Sequence, residues 1–168
     1  AALEVLEIRG NVITTPYSFV ATSNTLLYKN IKPVFVDTEK QTLGLDPSKI
    51  EECIDSETTA ILPVHVYGMP CNVDAIEDVA KRHNLKVIYD AAHAFGVTHK
   101  NKSVLRFGDL SILSFHATKS FNTFEGGAVI STDIKLKEKL DKFRNFGFES
   151  ETKISNMGIN AKLNEFQA

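Results

Sequence analysis

The sequence predicts an α/β fold, a three-layer αβα sandwich built on a mainly parallel sheet. Short apolar runs alternate with longer amphipathic ones along the 168 residues, which is the order that right-handed crossovers between parallel strands produce. The short runs are apolar without a polar alternation, as strands covered on both faces must be. Hydrophobic residues make up 43% and charged residues 24%, an ordinary globular composition in a chain long enough to bury a core.

Taken in order, Ala1-Ala2-Leu3-Glu4-Val5-Leu6 reads as a helix already in progress, and Val12-Ile13 as the first strand. Ser18 suits the N-cap of a helix through Leu26-Leu27-Tyr28, ended by Asn30. Val34-Phe35-Val36 is the next strand, and Asp46-Pro47 starts a helix with Ile50, Cys53 and Ile54 on one face. After the strand Ala60-Ile61-Leu62, helical spacing groups Ile76, Val79 and Ala80 before Asn84. Val87-Ile88-Tyr89, Ile112-Leu113 and Ala128-Val129-Ile130 complete the strands. A last helix over residues 134–146 carries a lysine-rich outer face, residues 147–155 read as a mobile loop, and Leu163-Asn164-Glu165-Phe166-Gln167-Ala168 looks helical again. The whole of 1–168 is expected to be a single domain, with both ends cut from a longer protein.

A net charge of -2 leaves no basic excess to track a phosphate backbone, which argues against nucleic acid. No window approaches the roughly 20 apolar residues of a membrane span, and no signal peptide opens the chain, so a soluble, cytoplasmic protein is expected. Cys53 and Cys71 form neither a metal-type pair nor a secreted framework, and read as reduced thiols. His65, His83, His99 and His116 lack a second ligand at metal spacing, so solvated or capping roles are expected of them and no metal is placed.

Two segments can carry chemistry. In Val87-Ile88-Tyr89-Asp90-Ala91-Ala92-His93 an apolar strand runs into a carboxylate and small residues. In Leu110-Ser111-Ile112-Leu113-Ser114-Phe115-His116-Ala117-Thr118-Lys119 another runs into hydroxyls, a histidine and a lysine, followed by Glu125-Gly126-Gly127. Taken singly, Asp90 can be a turn cap, Lys119 a solvated charge, and Gly126-Gly127 a tight turn or a close approach of backbone to a ligand. Neighbouring parallel strands, however, bring their carboxyl ends to one crevice. A lysine to hold an aldehyde, a carboxylate to keep a ring nitrogen protonated, and a hydroxyl for a phosphate are what pyridoxal 5'-phosphate (PLP) chemistry needs, and Lys119, Asp90 and Ser114 supply those types.

Thr15-Pro16-Tyr17-Ser18-Phe19-Val20-Ala21-Thr22, Pro33-Val34-Phe35-Val36-Asp37, Asp90-Ala91-Ala92-His93-Ala94-Phe95-Gly96 and Ser114-Phe115-His116-Ala117-Thr118-Lys119 resemble, in order, the DegT family of sugar-nucleotide aminotransferases. The similarity continues through Gly158-Ile159-Asn160-Ala161-Lys162-Leu163. It implies the large PLP-binding domain of a fold type I aminotransferase, with Lys119 forming the Schiff base and moving the proton, and Asp90 binding the pyridinium nitrogen. It implies further that His93 lies beside the ring near its phenolic oxygen, Phe19 stacks on the ring face, and Ser114 binds the phosphate. Asn160 would reach the phosphate from the neighbouring subunit of a homodimer. Read without the resemblance, Phe19 is core packing, His93 either a satisfied structural histidine or a ligand, and Asn160 a helix cap before Ala161.

The implied reaction moves an amino group from an amino-acid donor, glutamate, to a nucleotide-diphosphate keto sugar, with a dTDP-4-keto-6-deoxyhexose favoured. Lys119 argues against the related dehydratases, which carry histidine there. A lyase or decarboxylase of the same fold, or a sensor or scaffold that has lost catalysis, are the alternatives. A Gly-Thr phosphate loop ahead of Ala1 and a small domain after Ala168 are expected of the parent protein, and without them the 168 residues alone are expected to be inactive.

Overall fold

The computed structural model describes residues 1–168. Helix α1 (Ala2–Val5) leads to strand β1 (Asn11–Thr14), and helix α2 (Ala21–Tyr28) to β2 (Lys32–Phe35). Strand β3 (Thr58–Leu62) continues through helix α3 (Val73–His83) to β4 (Lys86–Asp90). A small hairpin of β5 (Thr98–His99) and β6 (Lys102–Ser103) precedes β7 (Leu110–Ser114) and β8 (Gly127–Ile130). Helix α4 (Ile134–Phe143) and a second hairpin, β9 (Phe148–Ser150) with β10 (Lys153–Ile154), follow.

Six strands form the central sheet in the order β2-β1-β3-β4-β7-β8. All neighbours from β2 to β7 pair in parallel and β8 pairs antiparallel with β7, so the sheet is mainly parallel as expected. Because strand side chains alternate between faces, Ile13, Ile61, Val87 and Tyr89 enter one core with Ile76 and Val79 of α3. Val12, Ala60, Leu62 and Ile88 enter the opposite core with Leu3 of α1, Leu26 of α2 and Leu140 of α4. Two buried faces make the three layers. No helix is long and apolar enough to cross a membrane.

Helix α3 is specified locally. Asn72 accepts from Ala75 N–H at its start, Asp74 lies in the first turn and Lys81, Arg82 and His83 in the last, which suits the helix dipole. Asn84, left-handed at φ 53°, ends it as an αL cap does.

Several expected elements differ. Asp46 caps as anticipated, accepting from Ser48 N–H at 3.0 Å, but the helix through Ile54 is replaced by two 3₁₀ turns, Pro47–Lys49 and Glu51–Cys53. Ile50 is fully buried between them, and Ile54 is already extended to feed β3, which leaves no length for an α-helix. Ser18 does not cap α2: the cap position is Val20, without a side-chain bond, and the Ser18 hydroxyl meets Thr22 instead. Helix α4 ends at Phe143, a turn earlier than expected. Residues 147–155 contain the β9–β10 hairpin rather than an irregular loop. At the C-terminal end, Asn164 Oδ1 accepts from the Phe166 and Gln167 amides and closes a turn in place of a helix. Phe166 there is fully exposed, so nothing buries a helical face.

Replacing Ile88, fully buried at the centre of the sheet, by alanine is expected to lower the unfolding free energy by about 2–5 kcal/mol, read from urea denaturation at constant m-value.

Candidate functional site

The strand order places β1 beside both β2 and β3, so the chain winds away in two directions from β1, and ligands of open parallel sheets collect at the carboxyl ends beside such a switch point. A cavity of about 780 Å³ opens there. Its walls are the segments leaving four strands: 16–22 after β1, 64–67 after β3, 90–93 after β4 and 114–119 after β7.

Phe19, Asp90, His93, Ser114 and Lys119 all line this one cavity. Asp90 ends β4, and its carboxylate accepts from Thr22 Oγ1 at 2.8 Å and from the Ala92 amide at 3.1 Å. Each oxygen keeps a free lone pair. Lys119 follows a turn closed by its amide on the His116 carbonyl at 2.9 Å, and its half-buried side chain brings Nζ to 2.9 Å from His93 Nε2. Burial and the adjacent Lys119 charge lower the His93 pKa, against the opposing pull of Asp90, so a neutral imidazole accepts at Nε2 from the lysine. Ser114 Oγ accepts from the His116 amide at 3.3 Å, which leaves its hydroxyl proton for another acceptor. Phe19 is not a core residue: it is 75% exposed, its ring on the cavity wall.

Asn160 does not join them. Its backbone bridges to Asn145, no helix follows it, so the capping role is excluded, and its side chain is exposed. Gly126 and Gly127 also stay outside the cavity. A Cβ on Gly127 would lie 2.8 Å from the Leu113 carbonyl, so the close approach Gly127 permits is to β7.

The cavity floor is formed by a residue of a kind not expected there. His65, expected to be solvated or capping, is wholly buried and stacks on Tyr89 with centroids 4.9 Å apart. Its Nδ1 accepts from the Cys71 amide at 3.2 Å. The neutral ring therefore carries its proton on Nε2, which has no partner in the protein. Burial pushes His65 down to about 4 and the Cys71 thiol, also a free cysteine, up to about 12, so this is a pair of uncharged groups. The missed signal was Pro63-Val64-His65-Val66, a histidine inside an apolar run. Also unforeseen were the rim pair Tyr17 and Tyr67, with hydroxyls 3.1 Å apart, and the hydroxyl of Thr22.

The model of the DegT/DnrJ/EryC1/StrS aminotransferase family matches residues 1–168. The chain is 57% identical over 167 residues to a dTDP-4-amino-4,6-dideoxy-D-glucose transaminase of Shigella dysenteriae, covering 99% of the chain and 46% of that protein. A crystal structure of DesI in the presence of its TDP-sugar product superposes with a TM-score of 0.92 at 36% identity, over 98% of this chain and 42% of that one. NtdA from Bacillus subtilis with bound cofactor PMP gives 0.90 at 35% identity, over 98% and 38%. The chain thus spans a little under half the length of the curated relatives it matches.

The buried neutral His65 ties stability to pH. Between its ordinary value of 6.5 and about 4, the unfolded chain binds a proton that the folded chain refuses, so stability falls as pH falls through that window. Urea melts across this range are expected to show a loss of up to about 3 kcal/mol from this group. His65→Asn is expected to flatten that part of the profile.

Proposed function

The chain belongs to the DegT/DnrJ/EryC1/StrS aminotransferase family, and from that premise we propose that it forms the PLP-binding domain of an enzyme that transfers the amino group of glutamate to a nucleotide-linked keto sugar. A dTDP-4-keto-6-deoxyhexose is the preferred acceptor, because a relative of 57% identity is a dTDP-4-amino-4,6-dideoxy-D-glucose transaminase. The observation that carries the reading is the meeting of Lys119, His93 and Asp90 in one cavity at the sheet's switch point.

The residues present fit the cofactor. The cavity offers one amine on Lys119, a carboxylate with free lone pairs on Asp90, an unspent hydroxyl proton on Ser114 and an exposed aromatic ring on Phe19. When bound, PLP supplies an aldehyde that takes up the amino group and a protonated ring that draws electrons from the reacting carbon. In this assignment Lys119 Nζ would hold the cofactor through its aldehyde and would be the group placed to carry a proton. Neutral His93 takes a hydrogen bond from that amine and keeps a second positive charge away from it. The Asp90 carboxylate would hold the ring nitrogen protonated, Ser114 would donate to the phosphate, and the Phe19 ring would pack against the cofactor ring. We also assign Asn160, exposed and away from the cavity, to the neighbouring subunit's phosphate in a homodimer, and the working compartment to the cytoplasm.

Borohydride reduction of the full-length protein with PLP, followed by peptide mapping, is expected to place the reduced adduct on Lys119. Lys119→Ala should remove the adduct and lower the transamination rate by about a thousandfold or more. An adduct mapped elsewhere, or activity retained by the variant, contradicts the assignment.

A further inference from the structure

Helix α2 holds three hydroxyl side chains, on Thr22, Ser23 and Thr25, and they behave differently. Ser23 Oγ donates to the Val20 carbonyl and Thr25 Oγ1 to the Ala21 carbonyl, the local bonds by which helical hydroxyls satisfy themselves. Thr22 does not. It is 7% exposed, and its Oγ1 reaches across 68 positions of chain to donate to Asp90 Oδ2 at 2.8 Å. The same oxygen lies 2.7 Å from Ser18 Oγ. A hydroxyl has one proton to give and an ionised carboxylate can only accept. Thr22's proton is thus committed to Asp90 and Ser18 is the donor of the second bond, which orders a chain from Ser18 through Thr22 to the carboxylate.

Asp90 Oδ1 accepts from the Ala92 amide, so the two oxygens are held from two elements: one by the chain's own next turn, the other by α2. A single donor leaves a carboxylate free to swing about Cβ–Cγ, whereas two donors on opposite oxygens fix its plane. We infer that Thr22 is a positioning residue that sets the orientation of the Asp90 carboxylate toward the ring nitrogen of the cofactor, with Ser18 as its outer donor. The inference rests on the proposed role of Asp90. The same chain of hydroxyls ties the loop before α2 to the cavity wall: Ser18 precedes Phe19 directly, and its bond to Thr22 holds the segment that carries the exposed ring.

The test compares full-length wild type, Thr22→Val, Thr22→Ser and Ser18→Ala. Valine keeps the shape of threonine and loses the donor. PLP affinity is measured by titration, ring-nitrogen protonation by the ¹⁵N resonance of labelled PLP on the protein, and folding by thermal unfolding without cofactor. Thr22→Val is expected to bind PLP about tenfold more weakly and to move the ring-nitrogen resonance toward its deprotonated position. Thr22→Ser should restore both, and Ser18→Ala should shift both in the same direction by less. A Thr22→Val protein that melts earlier but keeps the wild-type resonance would show a purely structural role and overturn the inference. Should Thr22→Val not fold, Ser18→Ala with unchanged affinity and resonance overturns it equally. Wild-type protein that binds no PLP removes the proposed function and this inference together, whereas normal binding by wild type and Thr22→Val alike removes only the inference.

Discussion

The molecule depends on a sheet that is denied water on both faces. Along β4, Val87 and Tyr89 enter one core and Ile88 the other, and all three are buried. A charge inside such a strand would have no solvent and no partner, so polar chemistry is confined to where strands end. Parallel pairing then puts those ends on one edge. The antiparallel strand β8 matters for the same reason. Gly127 at its start pairs with Ser114 at the end of β7, so the segment bearing Lys119 leaves and re-enters the sheet at the edge where Asp90 emerges. A parallel crossover would have carried that segment to the far side of the molecule.

How much of this was legible follows from the range of each interaction. Strands and the α3 and α4 helices were legible because burial on both faces writes apolar runs, because Asn84 marks the end of α3 with local bonds, and because α4 carries a lysine-rich outer face. The meeting of Asp90 and Lys119 in one cavity was legible once both were assigned to carboxyl ends of neighbouring parallel strands. What could not be read depended on distant partners. Ser18 suits an N-cap by type, yet its hydroxyl goes to Thr22 because that oxygen is turned toward Asp90. The segment after Asp46 has helical spacing, but the burial of Ile50 and the start of β3 cut it into two turns. His65 looked solvated because histidines usually are; only its stacking on Tyr89 and the bond from Cys71, six residues on, explain its burial. Asn160 lies outside the cavity in a single chain, and its proposed role belongs to a contact between chains.

The cavity pairs strongly held polar groups with neutral ones. The Asp90 carboxylate takes two donors, while burial keeps the nearest titrating groups uncharged: His93 is lowered by desolvation and by Lys119, and His65 by desolvation. A charged imidazole at either place would face the lysine or sit unsolvated on the floor, and in a partly dry cavity such a repulsion is strong. With both of these histidines neutral, neither sets an imidazolium against Lys119 or draws on the Asp90 carboxylate. Aromatic packing holds the segments that carry them. Phe95, after β4, stacks on Phe121, after Lys119, at 4.2 Å, and Phe115 meets both edge-on, an arrangement that aromatic quadrupoles favour.

The β3 segment shows what this closeness costs. Tyr67 is left-handed at φ 52° although it has a side chain, and Gly68 follows at φ 82°. A Cβ on Gly68 would lie 2.7 Å from the His93 carbonyl, so only glycine lets this segment touch the backbone after β4. The left-handed turn at Tyr67 costs about 1–2 kcal/mol by the sterics of an L-residue. It is held by the hydroxyl contact to Tyr17 and by the Tyr67 ring lying parallel to that of His93, 6.3 Å away. The strain and the glycine serve one dimension, the separation of the β3 and β4 segments. Because His93 stands on the second of these, that separation also sets how far its Nε2 lies from Lys119 across the cavity.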